Sequence, residues 1–417
     1  MDATMGPARS ELVRAAGPAA LVGAGSAVLL FGLDAVALEL EHVWWSWLPD
    51  AIGVDGEARW WAAIILTLTG VLVGLVLWKA PGHGGHDTAT VDLVSPPLPL
   101  RALPGVAVAL ILGLAGGVSL GPEGPIIMIA TGLAVVAYRR LQPQVATSAV
   151  VMITAAAMLG AMLGTPVAAA LVLTGALGGV GEGHLWDRLF APLVAAGAGA
   201  VTYYLLGGPS WDMGLPAYEP AWIDLGTAAI IATVGAALGA AASVAFAPAH
   251  RLFRRLRHPL AYATVGGVLL GALGLVGGPL TLFKGAHQTV AILEQKDTLA
   301  VSSLAVILVV KLAAVVIAAT AGFRGGRVFP ALFAGTTLGV LAHAIAPSVP
   351  LTLAVAAGVL GVVFAIARDG WIALFGAALL AGDGAVLPVM CIAILPVWIV
   401  LTRAPHMLVP PETAPHR

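Results

Sequence analysis

Glu123 is the residue in this chain best placed to do chemistry. It lies in Gly116-Gly117-Val118-Ser119-Leu120-Gly121-Pro122-Glu123-Gly124-Pro125, directly ahead of an apolar run, 126–137, that reads as a membrane helix. A carboxylate at bilayer depth is costly and by default marks an ion pathway or a buried pair. Glycine and proline around it imply interrupted backbone, which is tolerated at that depth only where protein buries it or water reaches it. A helix starting here aims its free N–H groups and the positive end of its dipole at whatever precedes it. That arrangement suits an anion, and Glu123 is itself an anion that can occupy the site and compete with a diffusing one.

A second stretch, Gly322-Phe323-Arg324-Gly325-Gly326-Arg327-Val328-Phe329-Pro330, repeats the plan ahead of another apolar run. Two Gly/Pro-interrupted segments at corresponding places in two halves point to a shared binding site near the bilayer midplane. Together they predict two helix N-termini converging on one anion. The sequence holds one other chemical cluster, His83, His86 and Asp87 in a glycine-rich loop. Three N/O ligands with an open position would suit zinc in a membrane-embedded hydrolase. That alternative lacks a second carboxylate or nucleophile at motif spacing.

The elements that must position these residues are helices in a membrane. The chain has 417 residues, of which 59% are hydrophobic and 10% charged, with mean hydropathy +0.98. Such a composition specifies an all-α polytopic membrane protein rather than a soluble enzyme. A net charge of -1 argues against a nucleic-acid partner. The single cysteine, Cys391, excludes a disulfide framework. Fifty-two glycines fit close helix approach and broken helices. Apolar runs such as 19–40, 60–78, 223–246 and 299–321 approach the roughly 20 residues needed to cross a bilayer, whereas 167–177 and 371–381 fall short. A mixture of full-span and short interrupted helices is the mark of a transport fold. The basic cluster 250–258, with Arg9, Arg14 and Arg403, places both termini in the cytoplasm of a multi-pass cell-membrane protein. Trp44, Trp45, Trp47, Trp60 and Trp61 bracket the acidic loop 50–57 and read as interfacial anchors on the opposite side. The expected division is a cytoplasmic N-terminus, 1–18, a first half of the transmembrane repeat, 19–210, a second half, 211–403, and a loose cytoplasmic tail, 404–417. No removable signal peptide is read at the N-terminus.

At these residues the chain resembles the CLC family of chloride channels and proton-coupled chloride transporters. The family's Gly-[Lys/Arg]-Glu-Gly-Pro segment is matched by Gly121-Pro122-Glu123-Gly124-Pro125, and its Gly-Gly-x-Phe-x-Pro segment by Gly325-Gly326-Arg327-Val328-Phe329-Pro330. Its Gly-Ser-Gly-Ile-Pro segment lies about 40 residues before the glutamate, where Gly82-His83-Gly84-Gly85-His86 stands. Gly164-Thr165-Pro166-Val167-Ala168 looks like the helix start that follows the gate segment. The resemblance implies a CLC-like inverted repeat, a homodimer in the lipid bilayer, and an inorganic anion, chloride first, as transported ligand with no cofactor and no metal. It implies no enzymatic activity. It makes Glu123 the gate, and Gly82, His83, Gly84, Gly121, Pro122, Gly124, Pro125, Gly326, Arg327, Val328 and Phe329 the anion-binding set.

The chain also departs from the family pattern. His83 stands where the family has a serine, and can donate to an anion or simply fill a glycine turn. Arg327 is unusual in its segment; it either raises local anion concentration or pairs with Asp369 or Asp383. Where proton-coupled members carry an inner glutamate, about ten residues after Pro166, this chain reads Gly175 and Ala176, with Glu182 the nearest carboxylate. No tyrosine follows Tyr262, and His406 or Met407 falls near the place of the family's inner-gate tyrosine. These losses favour a channel or loosely coupled transporter over a proton-coupled chloride or fluoride antiporter.

Overall fold

The computed structural model describes residues 9–176, 185–208, 211 and 213–409, and these are helical and without named strands. The first half holds α1 (Arg9–His42), α2 (Leu48–Ile52), α3 (Arg59–Lys79), α4 (Leu103–Ala115), α5 (Glu123–Leu141), α6 (Thr147–Leu163), α7 (Pro166–Ala176) and α8 (Leu185–Leu205). The second holds α9 (Trp222–Arg254), α10 (Pro259–Gly277), α11 (Ala286–Glu294), α12 (Val301–Thr320), α13 (Val328–Ile345), α14 (Leu351–Ala367), α15 (Gly370–Ala381) and α16 (Val386–Leu401). Among the described residues, seven helical stretches are long and apolar enough to cross a membrane, while α7 and α15, at 11 and 12 residues, are not.

The packing repeats. In the first half α1 packs on α6 and α8, α3 on α4, α5 on α6, and α6 on α7. In the second, α9 packs on α14 and α16, α10 on α12, α13 on α14, and α14 on α15. The halves meet along α3 and α10, where Gly70 and Gly267 face each other and an added Cβ on either would collide with the carbonyl of Ala263 or Leu66. Small residues serve this way in membranes because lipid is as apolar as leucine, so association relies on close packing rather than on exclusion of water. The best-buried helix is α14, buried from Leu351 through Ile366; it carries α13 on one side and α9 on the other.

Two features differ from the sequence reading. Trp45 and Trp61 are not both turned to the headgroups: Trp45 Nε1 donates to the Ala115 carbonyl at 2.8 Å, and Trp61 Nε1 to the Trp44 carbonyl at 3.0 Å. An indole N–H seeks an acceptor when buried, and the open carbonyl at the end of α4 supplies one. The basic cluster is likewise only partly a surface feature. α9 runs on to Arg254, whose guanidinium lies over the Tyr262 ring, 4.3 Å from its centroid, and reaches Asp87.

A buried cation braces the middle. Lys311, fully buried on α12, donates to the carbonyls of Thr281, Leu282 and Phe283 at 3.2, 3.0 and 2.7 Å. The Phe283 N–H in turn donates to the Gly117 carbonyl at 2.9 Å, and Ser119 Oγ to the Thr281 carbonyl at 3.0 Å. The ammonium therefore fixes segment 281–283, and that segment fixes the strand of chain leading to Glu123. Lys311→Met should strip the Leu282 and Phe283 carbonyls of this donor, leave that of Thr281 with Ser119 alone, and lower stability by about 2 kcal/mol. Thermal unfolding of purified protein in detergent measures this, and an unmoved midpoint would remove Lys311 from that role.

Candidate functional site

The site forms where two helices stop and two others start. α4 ends at Ala115 and α12 at Thr320; each is followed by a glycine in the left-handed region, Gly117 at φ +80° and Gly322 at φ +90°. Gly121 and Gly326 then exchange both main-chain hydrogen bonds, N–H to carbonyl at 2.8 and 2.6 Å. From there Pro122, Glu123, Gly124 and Pro125 run in register with Arg327, Val328, Phe329 and Pro330. An antiparallel exchange between equivalent residues sets a local two-fold axis between them, so the halves run in opposite senses. The repeat is inverted.

Helix starts leave N–H groups without intrahelical acceptors. The first helical hydrogen bonds here are Ile126 N–H to the Pro122 carbonyl and Ala331 N–H to the Arg327 carbonyl, at 3.0 and 3.2 Å. Proline at 125 and 330 removes one donor from each turn, which concentrates the remaining donors at 123–124 and 328–329. Glu123 folds back into this focus: its Oε1 accepts from Phe329 N–H at 2.7 Å, and the N–H groups of Glu123 itself and Val328 also face the carboxylate. The residue is 2% exposed, and its Oε2 is buried without a hydrogen-bond partner. It fits because Gly121 and Gly326 have no side chains; a Cβ on either would overlap the carboxylate.

Cavities approach this point from two directions. One, of about 370 Å3, is bounded by Thr88, Gly124, Pro125, Gly326, Arg327 and Val328 among others. The other, of about 400 Å3, is bounded by Pro122 and Phe329 together with Asp34, Tyr203, Trp211 and Lys284. Lys284 Nζ pairs with Asp34 at 3.2 Å, and the Tyr203 hydroxyl donates to the same carboxylate at 3.2 Å. The first cavity is bounded as well by residues 91–94 of the loop 80–99 and by His406 of the C-terminal segment. Glu123 and the Gly121–Gly326 exchange stand between the two.

The structure thus brings Gly121, Pro122, Gly124, Pro125, Gly326, Arg327, Val328 and Phe329 around Glu123. It does not bring Gly82, His83 and Gly84 there. That turn presents carbonyls, not N–H groups: those of His83, Gly84 and Gly85 accept from the buried Arg324 guanidinium at 3.1, 2.8 and 3.2 Å. The His83 and Gly85 N–H groups are used inside the turn, and His83 Nδ1 lies 3.0 Å from the Leu77 carbonyl. A direct anion contact from 82–84 does not fit this geometry. This loop does contribute Thr88 to the cavity, along with residues 91–94, and the Thr88 hydroxyl donates to the Phe323 carbonyl and accepts from Gly325 N–H. The hydrolase triad is dispersed. His86 Nε2 lies near the Pro96 carbonyl, and Asp87 is taken up by His250, Arg254 and Arg324. Burial pushes the Asp87 carboxyl up, but His250 and the guanidinium groups of Arg324 and Arg254 outweigh it and hold it down at about 2.

Arg327 pairs with neither acid named for it. Asp369 caps α15 by accepting from Ile372 N–H, and Asp383 accepts from the N–H groups of Tyr218 and Ala385. Arg327 instead donates to the Met407 carbonyl. The tail is correspondingly not loose between 404 and 409: Met407 is buried, and Val409 N–H donates to the Ala89 carbonyl at 2.8 Å. Glu182 lies outside the described residues.

The comparisons with known proteins point one way. The model of the family described as "Voltage gated chloride channel" matches residues 65–401. The chain is 41% identical over 402 residues to proteins of Escherichia coli O139:H28 (strain E24377A / ETEC) and Shigella boydii serotype 4 (strain Sb227), each named "Putative ion-transport protein YfeO", covering 96% of this chain and 96% of theirs. Its fold is similar to that of a slow cyanobacterial Cl-/H+ antiporter, with TM-score 0.79 and 18% identity over 93% of this chain and 94% of that one. It is also similar to a CLC-type fluoride/proton antiporter, with TM-score 0.73 and 20% identity over 96% of this chain and 100% of that one.

The contact between Gly326 and Glu123 can be tested as a pair. Gly326→Ala places its Cβ against Oε2, Cδ and Cβ of Glu123 and against no other residue as closely, so it should cost about 1–3 kcal/mol of stability. In a Glu123→Ala background the same substitution should cost less than half as much. Equal costs in the two backgrounds, read from thermal unfolding in detergent, would mean that Glu123 does not occupy the cleft.

Proposed function

The chain belongs to the voltage-gated chloride channel family, and from that premise we propose that it carries inorganic anions, chloride first, across the cell membrane, with Glu123 as a removable plug. The observation that carries the reading is the bond from Phe329 N–H to Glu123 Oε1 at 2.7 Å, in a cleft with a cavity on either side. A carboxylate held by oriented amides sits where a permeating anion would be held. When the plug takes up a proton or is displaced by an ion, the same amides are free for that ion.

Transport is passive or loosely coupled. The family's inner glutamate and inner tyrosine both lack counterparts at their places, so the relay those two residues would make is missing. Proton-coupled exchange of chloride or fluoride is the second reading, and one observation favours it. Asp34, Glu41 and His287 line the outer cavity that ends at Pro122 and Phe329, so titratable groups stand close to the plug on that side. The protein works as a homodimer with both termini cytoplasmic, and its substrate is an ion rather than a molecule to be transformed.

Reconstitution into liposomes with chloride, nitrate and fluoride gradients, internal pH being followed, tests both readings. Parent flux should rise as pH falls, because protonation removes the charge that holds Glu123 in place. Glu123→Gln should flatten that profile and raise flux at neutral pH by about tenfold for each ~1.4 kcal/mol of lost competition. Identical pH profiles for parent and variant would end the plug model; anion-driven proton movement in the parent would replace loose coupling by exchange.

The same vesicles separate Thr88 from His83. Thr88→Val removes a hydroxyl from the cavity wall and should shift chloride-to-nitrate permeability about fivefold, whereas His83→Ser should leave the ratio unchanged. The opposite pattern would return the anion contact to the 82–84 turn.

A further inference from the structure

The wall of the inner cavity includes a segment that has no helix of its own. After α16 the chain continues through Thr402 and Arg403 into residues 404–409, and His406 of that segment lines the cavity. Three ties hold it there. Arg368 donates to the carbonyls of Leu401 and Pro405 at 2.7 and 2.8 Å and also to that of Ala404. Arg327 donates to the carbonyl of Met407. Val409 N–H reaches back to the loop carbonyl of Ala89.

The two arginines are unusual in what they lack. Among the described residues neither forms an ion pair. Arg327 donates to a single neutral carbonyl and lies over the Phe246 ring, 5.5 Å from its centroid, and Arg368 Nε is buried with no partner. Both line the same cavity, and Arg327 is the residue immediately before the Val328 and Phe329 amides. The acids nearby make no direct contact with them: Asp92 and Glu123 favour the charge of Arg327 from a distance, and Asp369 is engaged at the start of α15. Two guanidinium groups held by neutral acceptors, beside a path for anions, are poised for exchange. A hydrogen bond to a charged acceptor is roughly twice as strong as one to a neutral acceptor.

Building on the anion-carrying role above, we propose that Arg327 and Arg368 are positioning residues that hold segment 404–409 as a strap over the inner cavity, and that small inorganic anions compete with the strap's carbonyls for these guanidinium groups. An anion moving inward from the Val328 and Phe329 amides meets Arg327 next. Its binding there frees Met407, and the strap lifts; when the ion leaves, the carbonyls return. The inner barrier is thus opened by the ion it obstructs.

Met407 is 1% exposed, so its exposure reports the state of the strap. The chain carrying Met407→Cys and Cys391→Ser, purified in detergent, is reacted with a maleimide at constant ionic strength in sodium gluconate or in sodium chloride. Chloride should speed labelling about fivefold, with saturation, the factor expected when a charged acceptor replaces a neutral one. Arg327→Gln or Arg368→Gln in that background should label fast in gluconate and lose the chloride dependence. Labelling equally slow in both salts, or an Arg327→Gln protein as protected as the parent, overturns the strap. Trypsin cleavage after the exposed Arg403 of the unmodified chain gives a second reading: faster removal of 404–417 in chloride supports the proposal, and equal rates count against it. Labelling and cleavage need no flux, so a flat result beside normal transport rejects the strap alone. Anion-dependent labelling beside a Glu123→Gln protein of unchanged pH profile rejects the plug alone.

Discussion

Two main-chain hydrogen bonds, exchanged between Gly121 and Gly326, are the constraint on which the rest of the molecule depends. Inside a bilayer an unpaired backbone group costs several kcal/mol, so helices cannot simply stop there. Here four helices stop or start at one place, and the interrupted backbone of each half satisfies that of the other. The exchange also sets the direction of α5 and α13, bringing both N-termini to one point. Oriented N–H groups at that point have little water to answer them, which makes an anionic occupant favourable and an empty site costly. Glu123 supplies the occupant from within the chain, and the absence of a Cβ at 121 and 326 gives it room.

That geometry in turn needs the surrounding loops to be stiff. Lys311 and Arg324 supply the stiffness by the same device, a buried cation held chiefly by carbonyl oxygens. Lys311 gathers those of Thr281, Leu282 and Phe283, behind the first segment. Arg324 gathers those of His83, Gly84, Gly85 and Gly322, behind the second. Both hold these carbonyl oxygens on a cation. Carbonyl dipoles turned toward an anion would repel it, so removing them matters as much as adding N–H groups. Asp87 completes the second brace, tying Arg324 to His250 and Arg254 at the end of α9.

How much of this the sequence discloses depends on whether a signal is local. The two Gly/Pro segments, the short helices after them and the membrane setting are local, and each is where the residue pattern puts it. Glu123 declares itself because an acid between glycines ahead of an apolar run has few other meanings. Lys311 was legible by the same rule, as a lone charge in the apolar stretch 299–321, and the sequence reading passed over it. Thr88 and the Asp34–Lys284 pair carry no such mark. A threonine in a polar loop is ordinary, and Asp34 finds Lys284 across most of the chain. His83 misled for a related reason: a glycine-rich turn advertises N–H groups, yet whether it shows a ligand its N–H or its C=O face depends on a partner, Arg324, far along the sequence. The α11 helix escaped notice because its 9 residues are too few for a membrane run.

The two ends of the path are built on opposite principles. On one side of the amides the obstruction is a negative charge, and its hold weakens when a proton neutralises it. On the other, the obstruction is neutral backbone held by positive charge, and protons have little purchase on it because guanidinium groups stay charged at any ordinary pH. An anion can compete for either, since it replaces the carboxylate at the amides and the carbonyls at the arginines. A chain without the family's inner glutamate and tyrosine at their places therefore still has two barriers that respond to the ion. The barrier facing α1 and α11 answers to pH through its plug, and the one facing the tail, with Asp92, Asp369 and His406 on its wall, answers chiefly to anion concentration. Such a division favours movement set by the anion gradient, with protons adjusting the rate from one side rather than driving the flow.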